Sequence, residues 1–166
     1  NPSLREKMQI VTKCGIKLVS QKFPDHQSHC YDTSKEHIIK SVENSFRNLS
    51  TDYIDLFLIH RPDPLMNADD TAEAFYNLKK SGKVLRFGVS NFLPNQFNLL
   101  QSHLDFSLVT NQIEVSVLNL EHFDNGNIDF LQERKISPMV WSPFAGGRMF
   151  LENSEQANRV RNVLNE

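Results

Sequence analysis

Several stretches of the chain end an apolar or β-branched run in a side chain that can hydrogen-bond: Lys13, His60, Ser90 with Asn91, Gln112, and Ser142 beside Trp141. The clearest is Tyr53-Ile54-Asp55-Leu56-Phe57-Leu58-Ile59-His60-Arg61-Pro62-Asp63, which stops in a histidine and is closed by Pro62 and Pro64. A histidine at such a place can hydrogen-bond a substrate oxygen or titrate near neutral pH. A partly buried lysine can depress the pKa of a neighbouring acid or bind a carboxylate. Ser90, Asn91 and Gln112 supply a hydroxyl and two amides, groups suited to a flat amide-bearing ligand held by paired donors and acceptors. Trp141 offers an aromatic face, and Ser142-Pro143-Phe144-Ala145-Gly146-Gly147 offers backbone N–H groups where a phosphate could lie. Taken singly, each has a plainer reading: a rim lysine, a satisfied core histidine, turn chemistry for Ser-Asn, a core tryptophan before a loop.

What would bring these residues together is the order of elements. Parallel strands covered on both faces read as near-continuous apolar runs, and α/β folds gather their chemistry at the carboxyl ends of such strands. A first strand is predicted over Met8 to Cys14, ended by Gly15, and a polar loop rich in His, Ser and Asp follows. Thr33 or Ser34 then caps a helix over about 34–49, with Ile38, Ile39, Val42, Phe46 and Leu49 at helical spacing. The run through His60 is the second strand, and a helix from about Ala68 to Ser81 stops at Gly82. Lys83 to Asn91 is a third strand, with Pro94 opening a helix that carries Phe97, Leu99, Leu100 and Leu104. Leu108 to Val115 is a fourth strand, followed by a helix over about Ile128 to Arg134. Ile136 to Ser142 is a fifth, and a last helix spans about Ser154 to Leu164.

Strict βα alternation predicts a parallel sheet with right-handed crossovers, in units of roughly thirty residues. An open doubly wound sheet concentrates function at one switch point, often beside a glycine-rich first turn, and Gly15 stands alone. Polar groups spread over consecutive strand ends instead fit a (β/α)8 TIM barrel. Because a closed barrel needs eight strands, the expectation is a partial barrel of about five βα units, a single domain over 1–166 truncated at both ends.

Composition narrows the partners. Of 166 residues, 39% are apolar and 23% charged, and 18 Lys plus Arg alternate with 20 Asp plus Glu without a basic stripe. Nucleic acid is thereby an unlikely fit, no run is long enough to span a bilayer, and the expected location is cytoplasmic. Cys14 and Cys30 are expected to be free thiols, since two cysteines do not make a disulfide framework in a chain of this size. His26, His29, Cys30 and His37 match no common zinc spacing and are read as part of the polar loop. Lys79, Lys80, Lys83 and Arg86 are read as cations at a helix carboxyl end rather than a phosphate site.

Four segments together resemble the aldo-keto reductase family: Ile10-Val11-Thr12-Lys13, Asp52 to Asp63, Gly82-Lys83-Val84-Leu85-Arg86-Phe87-Gly88-Val89-Ser90-Asn91-Phe92, and Asn111-Gln112-Ile113-Glu114. Trp141-Ser142-Pro143-Phe144 adds the version seen in the branch with bacterial oxidoreductases and potassium-channel β subunits. The resemblance covers about strands 3 to 7 of the barrel. It implies an NADP(H)-dependent oxidoreductase acting on small-molecule aldehydes or ketones, with no metal. Lys13 matches the lysine that lowers the pKa of a catalytic tyrosine, and His60 matches the histidine that orients the carbonyl. Ser90, Asn91 and Gln112 match the residues around the nicotinamide carboxamide, and Trp141 matches the aromatic residue stacked on the nicotinamide. Ser142, Pro143, Phe144, Ala145 and Gly146 match the loop along the pyrophosphate.

The chain also departs from that pattern. The family's catalytic tyrosine and aspartate belong before Lys13, and Tyr31, Tyr53 and Tyr76 fall in a loop, at a strand start and on a helix. The last strand and the basic segment that grips the adenosine 2′-phosphate are not matched either. The 166 residues alone are therefore expected to be inactive, within a parent protein that is a reductase. The alternative is a non-catalytic nicotinamide-binding or regulatory module of the same fold.

Overall fold

Each apolar run read in the sequence becomes a strand, and each amphipathic segment a helix laid against it. The computed structural model describes residues 2–21, 23, 24 and 26–165, so Lys22 and Asp25 of the polar loop and the terminal Asn1 and Glu166 lie outside the described residues. It divides into two units, Asn1–Thr110 and Asn111–Glu166.

The first unit opens with a short helix, α1 (Pro2–Arg5), whose last residue is its anchor. Arg5 lies 3.7 Å over the Tyr53 ring, donates to the Tyr53 carbonyl and to Thr51 Oγ1, and pairs with Asp55 at 2.7 Å. Lys7 and Met8 close turns back onto Leu4 and Arg5. That is why the first strand, β1 (Val11–Cys14), begins at Val11 and not at Met8. A hairpin absent from the predicted elements follows: β2 (Ile16–Lys17) pairs antiparallel with β3 (Cys30–Tyr31).

Helix α2 (Lys35–Leu49) starts at Ser34, whose hydroxyl accepts from the His37 N–H, and ends at Ser50 in the left-handed region. Strand β4 (Ile54–Ile59) pairs parallel with β1, Lys13 opposite Leu58 and Cys14 opposite Ile59. Helix α3 (Ala68–Lys80) is capped by Asn67, which accepts from the N–H groups of Asp69 and Asp70. Strand β5 (Val84–Ser90) then pairs parallel with β4, Leu58 opposite Gly88 and Ile59 opposite Val89. Helix α4 (Pro94–Ser102) has its proline where a missing N–H costs nothing.

Between this sheet and its helices, Phe57, Phe75, Phe87, Phe92 and Phe97 are fully buried, and the Phe75 and Phe87 rings stack at 4.2 Å. Truncating any one to alanine would cost about 3–5 kcal/mol. The opposite face is crossed at Gly88, where an added Cβ would stand 2.7 Å from the Thr110 carbonyl and 2.8 Å from Leu58 Cδ2.

In the second unit, β6 (Asn111–Glu114) leads through α5 (Glu121–Asp124) and α6 (Asn127–Glu133) to β7 (Met139–Trp141). The two strands are parallel, with Gln112 opposite Met139 and Glu114 opposite Trp141. β7 starts three residues later than predicted because Pro138 has no N–H to give a ladder and restricts Ser137 before it. A 3₁₀ turn (Ala145–Gly147), α7 (Arg148–Leu151) and α8 (Glu155–Leu164) complete the unit. Ile113, Phe130, Leu131, Met149 and Ala157 are among its buried apolar side chains. Both cysteines are free, Cys14 buried and Cys30 exposed. Among the described residues no histidine, cysteine or carboxylate group could hold a metal ion, and no helix is long and apolar enough to cross a membrane.

Candidate functional site

In the first unit the ladder places three of the predicted residues on one face. Side chains alternate along a strand, so Lys13, paired with Leu58, shares a face with His60 two positions on, and Ser90 shares it through Gly88. His60 continues the ladder one residue past β4, donating its N–H to the Cys14 carbonyl at 2.8 Å. Asn91 turns with a φ of 60°, a conformation asparagine tolerates. Its carboxamide then donates to the His60 carbonyl at 3.2 Å and to Ser90 Oγ at 2.9 Å. Ser90 is 1% exposed, so its hydroxyl sits at the floor of this strand-end face.

Beyond His60 the chain is also tied down. Thr33 Oγ1 donates to Asp63 at 2.9 Å, Thr71 Oγ1 donates to the Thr33 carbonyl at 3.0 Å, and Asp63 accepts from the Leu65 N–H. The segment after the histidine is thus clamped to the starts of α2 and α3.

Electrostatics single out one residue to which the sequence had attached no role. Burial lowers the His60 imidazole pKa, and the charges of Lys13 and then Arg61 lower it further. Lys13 is itself lowered, by burial first and by Arg61 second. His60 is therefore neutral at physiological pH and able to give an N–H to a carbonyl oxygen. Arg61 was visible in the sequence only as the neighbour of His60; its through-space charge on two groups was not. Cys14, next to Lys13, is no nucleophile: burial, with the charge of Asp32 behind it, pushes its thiol far above the usual range.

In the second unit, Gln112 is the second residue of β6, and both it and Trp141, the last residue of β7, are half-buried. After Trp141 the backbone is unusual: Ser142, Ala145, Gly146 and Gly147 all have positive φ, between 52° and 88°. The Ala145 N–H is used by the Ser142 carbonyl at 2.7 Å and that of Gly147 by Phe144, while Phe144 itself is 58% exposed. Successive N–H groups in such a turn form a concavity of the kind that receives phosphate oxygens. Taken unit by unit, a hydroxyl and an amide in the first (Ser90, Asn91) and an amide and an aromatic face in the second (Gln112, Trp141) are chemical types that fit a nicotinamide group.

Alternating βα units define the class as a barrel-type α/β fold, and the comparisons with known proteins give the chain a family. The family model described as Aldo/keto reductase family matches residues 1–165, and the chain belongs to that family. It is 56% identical over 164 residues to the uncharacterized oxidoreductase YcsN of Bacillus subtilis (strain 168), covering 99% of this chain and 55% of that protein. It is 51% identical over 149 residues to a 6-dehydroglucose reductase of Agrobacterium fabrum, covering 90% of this chain and 50% of that one. Among solved structures, the holo form of aldo-keto reductase AKR11C1 from Bacillus halodurans superposes with a TM-score of 0.73 at 28% identity, over 87% of this chain and 46% of that one. The fold is accordingly a (β/α)8 barrel in part. The chain spans about half the length of the curated relatives it matches.

Proposed function

We propose that the whole protein to which these residues belong is an NADP(H)-dependent reductase of small aldehydes or ketones, with Lys13 and His60 in its reaction centre. What carries the reading is the ladder: it sets Lys13 and His60 on one face of adjacent strand ends, close enough for the lysine charge to depress the imidazole, with Ser90 and Asn91 on the next strand. Two relatives named 6-dehydroglucose reductase and a Bombyx mori aldo-keto reductase solved with NADP, at 27% identity and a TM-score of 0.64, support the substrate class and the cofactor.

When bound, the reduced nicotinamide supplies hydride. Ser90, Asn91 and Gln112 would hold its carboxamide, Trp141 would cover the ring, and Ser142, Pro143, Phe144, Ala145 and Gly146 would run beside the pyrophosphate. His60, neutral, gives its N–H to the substrate carbonyl oxygen and so fixes the carbonyl in place. The Lys13 ammonium, held below its ordinary pKa, favours the anion of an acid placed beside it. That acid, a tyrosine with its aspartate partner, would come from parts of the whole protein outside these residues.

The test is NADPH oxidation followed by absorbance, with a panel of aldehydes and ketones that includes oxidised sugars. Turnover by the full-length protein together with none by residues 1–166 is the expected result. Tight NADPH binding without turnover on any carbonyl would instead favour a regulatory module. Turnover by the 166 residues alone at the full-length rate would show that no outside acid is needed.

A further inference from the structure

Lys13 and His60 stand on neighbouring strands, and the two chain segments that leave those strands meet again at one residue, Thr33. Thr33 is 3% exposed and lies just before Ser34, the cap of α2. It reaches the end of β1 through its neighbour Asp32, whose N–H donates to the Gly15 carbonyl at 3.1 Å. Gly15 has a φ of 101° and passes close by: an added Cβ would stand 3.7 Å from Thr33 Cγ2 and 3.7 Å from Ile59 Cγ2. On the other side, the Thr33 hydroxyl donates to Asp63 Oδ2 at 2.9 Å, just beyond His60 in the chain. The Thr33 carbonyl accepts from Thr71 Oγ1 at 3.0 Å, and Thr71, near the start of α3, is fully buried. A buried hydroxyl deprived of its acceptor is left unsatisfied, so the fold keeps the bond to Asp63 closed.

We propose that Thr33 and Asp63 are positioning residues for carbonyl reduction, their hydroxyl-to-carboxylate bond fixing how His60 stands beside Lys13. The inference rests on the role of His60 as donor to the substrate carbonyl. Two bonds already hold the histidine backbone: its N–H lies on the Cys14 carbonyl at 2.8 Å, and its carbonyl accepts from the Asn91 amide at 3.2 Å. A residue pinned at two atoms still swings about the line between them. A third anchor just beyond it removes that freedom, provided the chain in between is stiff. Here it is: Pro62 fixes its own φ and confines Arg61 to extended conformations, and Pro64 confines Asp63 in the same way. The anchor is itself steady, since Asp63 Oδ1 accepts from the Leu65 N–H at 2.9 Å and its carbonyl from the Met66 N–H at 3.1 Å.

Loss of the anchor has two consequences. The carbonyl donor moves, and a misplacement of about 1 Å costs up to about 10²-fold in rate. That loss falls on kcat, because the bond from His60 strengthens as charge develops on the carbonyl oxygen. The field at the imidazole changes as well. Burial, then Lys13 from β1, then Arg61 hold its pKa down, while β5 presents the neutral amide of Asn91. A loosened segment exposes the ring and carries Arg61 away, so the titration midpoint rises toward its ordinary value.

The experiment uses the full-length protein. Thr33→Val removes the hydroxyl at nearly constant volume and changes no charge, Thr33→Ser restores the hydroxyl, and Asp63→Ala removes the acceptor. In each, the His60 imidazole C2 proton signal, assigned with H60Q, is titrated by NMR, and NADPH oxidation with 4-nitrobenzaldehyde gives kcat and KM. Thr33→Val should raise the His60 midpoint and lower kcat about 10- to 100-fold, with KM for NADPH unchanged. Thr33→Ser should return both toward the unaltered protein, and Asp63→Ala should act as Thr33→Val does. A bond that serves folding alone lowers the urea midpoint and leaves the folded protein's imidazole where it was. Either an unchanged His60 midpoint or an unchanged kcat in Thr33→Val would therefore overturn the proposal. Reduction of the aldehyde at the full rate by His60→Ala would overturn the carbonyl-donor role itself, so the two failures are told apart.

Discussion

His60 works, on this reading, because it is neutral. Burial and two neighbouring cations all oppose its protonation. Replacing Arg61 by glutamine removes one of those cations and should raise the His60 titration midpoint; an imidazole NMR titration showing no change would mean that Arg61 is screened by solvent. In the full-length protein, His60→Ala should lower kcat/KM for an aldehyde by about 10²–10³-fold, the usual loss for one donor aimed at a developing oxyanion. NADPH affinity should hardly move, since Ser90, Asn91 and the second unit carry the proposed cofactor contacts. Comparing KM with kcat separates this from a general loss of folded protein.

At the scale of elements, the site depends on strand register, and register depends on small residues at close approaches. Gly88 sits opposite Leu58, one position on the same face before Ser90. Since an added Cβ would stand 2.7 Å from a backbone oxygen, Gly88→Ala forces β5 away from Thr110 or Leu58 out of its rotamer. We expect a loss of about 1–3 kcal/mol, read as a lower urea midpoint, with Ser90 displaced as well. The start of α2 matters in a different way. Ser34 accepts from the His37 N–H and donates to Asp32, so one hydroxyl joins the helix cap to the carboxylate that pairs with Lys17.

For the molecule as a whole, several wholly or partly buried titratable groups share one pH direction. His37, His60 and His122 all have lowered pKa values, in each case with burial the leading cause. A histidine lowered on folding contributes stability that is present above its unfolded value, about 6.5, and is lost as pH falls below it. Asp32 is also lowered: burial acts the other way, but the hydrogen bonds from Ser34, the charge of His37 and the hydrogen bond from Lys17 outweigh it. Its contribution is present above about 3.9 and is lost as pH falls further. Urea unfolding should therefore show a midpoint that is flat above pH 7 and declines in two stages, below about 6.5 and again below about 4. A midpoint that rose on acidification from pH 7 to 5 would contradict the histidine environments seen here.

Helix and strand positions were legible where a run was long enough to carry a period: α2, α3 and β5 lie within a residue of their predicted ends. β2, β3 and α5 escaped prediction because two or four residues carry no periodicity. His60 and Ser90 were also legible at their strand ends, since an apolar run that stops in a polar side chain is a local pattern, whereas Lys13 lies one residue before the end of β1 and Gln112, read as a strand end, is the second of four residues in β6. Only the tertiary structure decided what surrounds them. The charge of Arg61 on Lys13, the Asn91 amide on the His60 carbonyl, the contact at Gly88 and the bond from Thr33 to Asp63 join segments far apart in the chain. Sequence order sets which groups are available, but fields, burial and close contacts depend on distance through space, which appears once the chain has folded.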